Sequence, residues 1–209
     1  EAAVAIGVSA SFPTAADVSL RDVDGQTLLS LENNAVHVLP FIGAASTNGR
    51  WFAQGFVQGD IDTSGNRVEV FNEQTGRLQE VGELHDAAFL YVSASLGYWL
   101  YRDVFSQTTF SRECGRYVKR RVYSSSHWIT GFAPMAELHY NQSLEHSEVI
   151  EAGAIEIRSV DQFSLTNLVL GGVMTFGSGG SVQVAWGTPI IGQDDRQFSN
   201  EVRVSVNWE

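Results

Sequence analysis

The chain has 209 residues, with 24 Asp and Glu against 13 Lys and Arg, a net charge of −11, and only 18% charged residues. That balance argues against a dedicated nucleic-acid binder, whose affinity rests on cationic side chains against phosphates. A single cysteine, Cys114, excludes an intrachain disulfide framework and a cysteine-rich metal site, and no run approaches the ~18 apolar residues of a membrane-spanning helix.

The first residues, 1–9, lack the basic start and cleavage site of a signal peptide, so the reading expects them to lie inside a mature chain or within a domain. Lys119 is the only lysine beside twelve arginines. Soluble sheet proteins commonly guard their edges and faces with lysine, so another device must keep this chain from aggregating.

Apolar residues recur at every second position, and Gly, Asn, Asp and Ser clusters interrupt them, which predicts an all-β chain. Strands are expected at residues 2–12 (Val4, Ile6, Val8, Phe12), 36–43 (Val36, Val38, Pro40, Ile42) and 51–59. Residues 88–101 place Leu90, Val92, Ala94, Leu96, Tyr98 and Leu100 on one face and Ser93, Ser95 and Gly97 on the other. Residues 130–140 set Phe132, Pro134, Ala136, Leu138 and Tyr140 against Glu137 and His139, with Asn141 continuing the polar phase. Residues 168–176 and 182–190 alternate in the same way, and the tail sets Val202, Val204, Val206 and Trp208 against Glu201, Arg203, Ser205 and Asn207.

The links predict two different ends. Residues 47–50 and 177–180 read as tight glycine-bearing turns, whereas residues 13–34, 60–86 and 143–163 are long, polar and acid-rich. The second of these is expected to hold a small hairpin, 67–72 against 77–83. Residues 102–127 form a long link where a short turn is expected, and continuations of the flanking strands are one reading of it.

Short turns at one end, long loops at the other, and ~10-residue strands with alternating polarity are the pattern of a transmembrane β-barrel. Lipid offers backbone groups no hydrogen-bond partner, so spanning strands must pair and the sheet must close. The expected fold is therefore an antiparallel up-and-down transmembrane barrel, about eight strands in one domain over residues 1–209. A water-soluble β-sandwich binding module alternates too and stays open as an alternative. Strand length, the near absence of lysine and aromatics toward strand ends (Trp51, Tyr98, Trp99, Tyr101, Trp128, Tyr140, Trp186, Trp208) favour the barrel.

The tail, residues 198–209, resembles the terminal strand by which bacterial outer-membrane proteins are recognised by their assembly machinery. The closing aromatic would fall in phase one residue after Glu209. Residues 6–14, 89–102 with Gly97-Tyr98-Trp99-Leu100-Tyr101, 133–140 and 168–189 resemble the outer-membrane barrel family labelled "transporter" or MetA-pathway of phenol degradation, particularly its planctomycete-like members. That resemblance implies a Gram-negative outer-membrane location and passage or binding of small molecules. Family members are usually longer, which implies that this chain is the C-terminal part of a larger barrel; the segment 102–127 departs from the family pattern.

Glu137, His139 and Asn141 stand at i, i+2 and i+4, so a strand presents all three on one face. A hydrated polar ladder, a ligand or proton-linked site, and part of a His-based hydrolase are the readings open to them. No serine sits in a nucleophile motif, and Gly177-Ser-Gly-Gly180 reads as a turn. His85-Asp86 and His127 beside Trp128 carry metal-ligand chemistry and Asp60 and Asp62 faintly suggest a calcium loop, but their spacing supports neither, and no cofactor or metal is expected. Arg112, Arg116, Lys119, Arg120 and Arg121 form a basic loop that would meet lipid phosphates, narrow a pore for anions, or simply be solvated.

The leading expectation is a non-enzymatic, porin-like barrel for small solutes, its interior lined by Ser93, Ser95, Glu137, His139, Asn141, Glu201, Arg203 and Ser205. Its partners would be outer-membrane lipid, the assembly machinery, small solutes and further subunits of an oligomer or larger assembly, with no nucleic acid. The alternative role within the membrane is a structural or anchoring barrel, since an eight-stranded interior is largely filled by side chains. The long loops and the C-terminus are expected to face outward and the periplasm respectively.

Overall fold

The computed structural model describes residues 1–111, 116–123, 128–144, 149–152, 155–158, 162–177, 179–192 and 198–208, with backbone alone described for 104–111, 116–123, 152, 155 and 158. All its regular elements are strands. In chain order they are β1 (Ala2–Ser11), β2 (Val18–Arg21), β3 (Thr27–Glu32), β4 (His37–Asn48), β5 (Trp51–Asp62), β6 (Asn66–Asn72), β7 (Arg77–Leu84) and β8 (Phe89–Tyr98). There follow β9 (Tyr101–Arg102), β10 (Val104–Ser111), β11 (Arg116–Tyr123), β12 (Ile129–Ser143), β13 (Val149–Ala152), β14 (Ile155–Arg158), β15 (Ser164–Phe176), β16 (Gly180–Ile191) and β17 (Glu201–Trp208).

The eight expected long strands form one antiparallel meander in the order β1-β4-β5-β8-β12-β15-β16-β17, with β9 paired to β12. Register carries the alternation across the whole sheet. Ile6 lies opposite Ile42, Ile42 opposite Val57, Val57 opposite Val92, and Val92 opposite Tyr140. Farther along, Ala136 lies opposite Leu170, Leu170 opposite Trp186, and Trp186 opposite Val202. A slip of one residue anywhere would invert a strand, so the two faces hold each register in place.

The aliphatic face is uncovered: Ile6 is 83% exposed, Val202 70% and Val206 68%, and Ile42, Leu96, Leu138, Leu170 and Val184 are exposed as well. The opposite face carries Glu137, His139, Gln183 and Arg203, and its buried members include Ser95, Ala133, Asn167 and Ala185 beside Leu165 and Val169. Two glycines on this face make room for aromatic rings. A Cβ at Gly97 would collide with the Phe52 ring, and one at Gly7 would stand 2.6 Å from Phe41 Cζ.

The sheet is open rather than closed: β1 and β17 stand at its two edges, and no ladder joins them among the described residues. The expected barrel closure is therefore not found. Closure needs strand tilt and stagger around the whole sheet to match, a condition that alternation within single strands does not supply.

The two ends differ as expected, but the long links are more ordered than their polarity suggests. The β4–β5 turn places Gly49 at φ 61°, and Gly179 in the β15–β16 turn has φ 87°. At the other end, residues 13–34 contain β2 and β3, which join the expected β6–β7 hairpin in a four-stranded sheet of order β2-β3-β6-β7. The β13–β14 hairpin occupies part of 143–163, and β13 approaches this sheet, since a Cβ at Gly82 of β7 would stand 3.5 Å from Ile150 Cδ1.

The segment 102–127 holds a hairpin of its own. After β8 breaks at Trp99, β9 resumes pairing with β12, and β10 and β11 then pair from Val104 opposite Tyr123 to Ser111 opposite Arg116. Four of the five basic residues expected in a loop are therefore on a strand. Arg116, Lys119, Arg120 and Arg121 stand on β11, and Arg112 lies outside the described residues.

Candidate functional site

The polar face brings together residues that sequence parity alone assigned to it. Register sets His139 opposite Ser93 and Glu137 opposite Ser95 across the β8–β12 ladder. Ser93 Oγ lies 2.9 Å from His139 Nδ1, and His139 Nε2 lies 3.1 Å from Glu137 Oε2. Gln183 Nε2 donates to the other carboxylate oxygen, Glu137 Oε1, at 3.4 Å. A carboxylate only accepts, so in a neutral imidazole this arrangement selects the tautomer with its proton on Nε2, whose Nδ1 then accepts from the Ser93 hydroxyl.

Ser93, Ser95, Glu137 and His139 line a cavity of about 360 Å³ with Gly43, Ala45, Gln54 and Phe56. A second cavity of about 220 Å³ adjoins it through Glu137 and is lined by Val169, Gln183, Ala185, Arg203 and Ser205. Arg203 forks onto Glu201, its Nε 2.8 Å from Oε1 and its Nη2 2.9 Å from Oε2. The expected lining residues thus fall into one connected group, while Asn141 lies farther along the same face, opposite Tyr91 and Leu165.

Gln54, Phe56 and Gln183 belong to the site without having been singled out from the sequence. Their signal was parity: each alternates with an outward apolar or small residue on its strand. Two buried polar atoms of the described residues have no hydrogen-bond partner, Ser95 Oγ and Asn167 Oδ1. Both flank the His139–Glu137 pair, Ser95 opposite Glu137 on β8 and Asn167 opposite His139 on β15.

A separate cluster ties the long-link end together. His37 Nδ1 lies 2.8 Å from Asp60 Oδ1 and its Nε2 lies 3.4 Å from Asp86 Oδ2; His85 Nδ1 lies 3.6 Å from Asp62. The Asp62 side chain is 1% exposed. It accepts the backbone amides of Ser64 and Gly65 at Oδ1 and of Asp86 at Oδ2, so it closes the turn after β5 and anchors the start of β8. Among the described residues no group of three or more His, Cys, Asp or Glu is arranged to hold a metal ion, and His127 lies outside them.

Aromatic side chains gather at the short-turn end. Trp51 packs edge-on against Tyr98 with centroids 4.8 Å apart, Trp128 packs on Phe176 at 4.9 Å, and Arg102 sits 5.0 Å over Trp99. Trp208 joins them against Gly180, whereas Trp186 lies farther along its strand and Tyr140 nearer the opposite end. No helix of the described residues is long and apolar enough to cross a membrane. Comparison with protein-family models, curated proteins and solved structures returned no match.

Proposed function

We propose that this chain is a bacterial outer-membrane β-barrel protein whose polar face binds or passes small solutes. The observation that carries the reading is the sorting of the main sheet into two faces: aliphatic side chains on eight strands are uncovered on one, while ionisable and amide groups share the other. Burying each large aliphatic side chain is worth about 1.5–3 kcal/mol. More than a dozen left in water would forfeit roughly 20 kcal/mol or more, above the ~5–15 kcal/mol stability of a typical domain. Lipid against that face removes the deficit; a soluble sandwich removes it by laying a second sheet over the aliphatic face, and among the described residues these side chains are left exposed.

The aromatic cluster at the short-turn end fits an interfacial girdle, and the resemblance of the tail and of residues 89–102 to outer-membrane transporters points the same way. The solute path would run past Glu137, His139, Arg203 and Ser205. A second reading, an anchoring sheet completed by further strands or subunits, is favoured by the open edges of β1 and β17, which carry unpaired backbone groups that lipid cannot satisfy.

Heat-modifiable migration of the detergent-extracted protein, followed by conductance in a planar bilayer, tests both. A gel shift with stable current steps supports a solute path, and a shift without current supports the anchoring role. Solubility and folding without detergent would overturn the membrane reading.

A further inference from the structure

We propose that Ser93, His139 and Glu137 act together as a hydrolytic site for short-chain carboxylic esters, with Ser93 as nucleophile and His139 as general base. A serine hydroxyl becomes nucleophilic when an unprotonated nitrogen within about 2.6–3.2 Å accepts its proton and a third group orients that base. Each requirement is met on the polar face. Ser93 Oγ lies 2.9 Å from Nδ1, and the Glu137 carboxylate lies 3.1 Å from Nε2, where it favours the Nε2–H tautomer of a neutral imidazole. Gln183 steadies the far carboxylate oxygen. Which ring nitrogen faces the serine is the reverse of the more familiar arrangement, but the two nitrogens exchange roles with the tautomer, and the carboxylate selects the tautomer that serves here.

Ser95 supplies the second, independent observation. The residue lines the same cavity two positions from Ser93 on the same face, and its hydroxyl is buried without a hydrogen-bond partner. Buried polar groups are nearly always satisfied, so an orphan beside a nucleophile marks a place where a ligand oxygen is received. The Ser95 hydroxyl is the donor for the oxyanion. A pocket of about 360 Å³ with Ala45, Gly43 and Phe56 along one wall has room for a short acyl chain.

The step balances within these groups. Ser93 Oγ bonds to the ester carbonyl carbon as Nδ1 takes the hydroxyl proton, and the carbonyl oxygen becomes the oxyanion. Collapse breaks the carbon–alkoxide bond, and the imidazolium returns the proton to the departing alcohol. Water then repeats the sequence on the acyl-serine, releasing the carboxylic acid and restoring Ser93.

Labelling of the folded protein with a fluorophosphonate, located by peptide mass spectrometry, tests the site together with hydrolysis of p-nitrophenyl butyrate. Label on Ser93 is expected, with Ser93→Ala and His139→Gln lowering hydrolysis about 100-fold or more. Glu137→Gln, which alters a positioning residue, lowers kcat about tenfold with KM unchanged. Each variant must keep the heat-modifiable shift, or the fold in buffer. Should Ser93→Ala fail to fold, Ser93→Cys is compared with Ser93→Cys/His139→Gln, and the first should react with iodoacetamide at least tenfold faster. Absence of label on the folded chain, label on another serine, or equal thiol reactivity would overturn the proposal. None of these readouts depends on whether the sheet lies in a membrane, so this proposal and the barrel reading fail separately.

Discussion

Trp51 and Tyr98 face one another across the β5–β8 ladder in an edge-to-face contact, centroids 4.8 Å apart, where the short turns meet the sheet. Both belong to the outward face, so the contact sits where an apolar belt would end and headgroups begin. Trp51→Ala should lower the unfolding free energy in lipid vesicles by about 1 kcal/mol. Quenchers placed at the headgroup level should reduce Trp51 emission more strongly than quenchers placed at the bilayer centre.

Val204 lies in the middle of β17 with its side chain outward, and Ser205 beside it faces the cavity with Arg203. Val204→Lys should cost about 2–4 kcal/mol in a bilayer, the charge being pressed into hydrocarbon, while Ser205→Lys should cost much less. Urea unfolding in vesicles measures both. A soluble sheet would reverse the ranking, with Val204→Lys neutral or stabilising.

Asp62 gathers three backbone amides into a buried carboxylate at the junction of β5, β6 and β8. Asp62→Ala should cost about 3 kcal/mol or more, because hydrogen bonds to a charged acceptor are each worth about 1.5–3 kcal/mol. Hydrogen exchange should quicken at residues 63–66 and 86 and across the β2-β3-β6-β7 sheet, while β12 and β15 stay protected.

Arg203 is the guanidinium that lines the cavity shared with Glu137. In a conducting barrel, Arg203→Gln should shift the reversal potential in a salt gradient toward cation preference, because Glu137 and the released Glu201 then dominate the local field. An unchanged reversal potential would place the path elsewhere.

Orientation can be read on intact cells. Added protease should cut within residues 143–163, on the long-link side, and spare the turn at residues 177–180 until the cells are opened.

Strand existence and facing were legible because they are local. Leu90, Val92, Ala94 and Leu96 against Ser93 and Ser95 announce a strand and sort its faces through the two-residue pleat alone. β2 and β3 carry a local signal as well. Val18-Ser-Leu-Arg21 and Thr27–Glu32 flank Asp22-Val-Asp-Gly25, where the Asp22 carboxylate accepts the amides of Asp24 and Gln26 and Gly25 takes φ 85°. An Asp-Gly pair between alternating segments is a hairpin signal, and the acidity of the stretch masked it. The β10–β11 hairpin was hidden similarly, because a run of arginines reads as a solvated loop although its tyrosines and valines favour a strand.

The candidate site divides along the same line. Glu137 and His139 share a face by spacing within one strand, so their adjacency belongs to the sequence. That Ser93 meets His139 and Ser95 meets Glu137, that β3 of one link pairs with β6 of another, and that β1 and β17 remain edges were decided only by the tertiary structure. Register between strands distant in sequence is fixed by the sum of many cross-strand contacts and by turn geometry. The alternation of polarity therefore says which face a residue takes, whereas the folded sheet alone says which residue it faces.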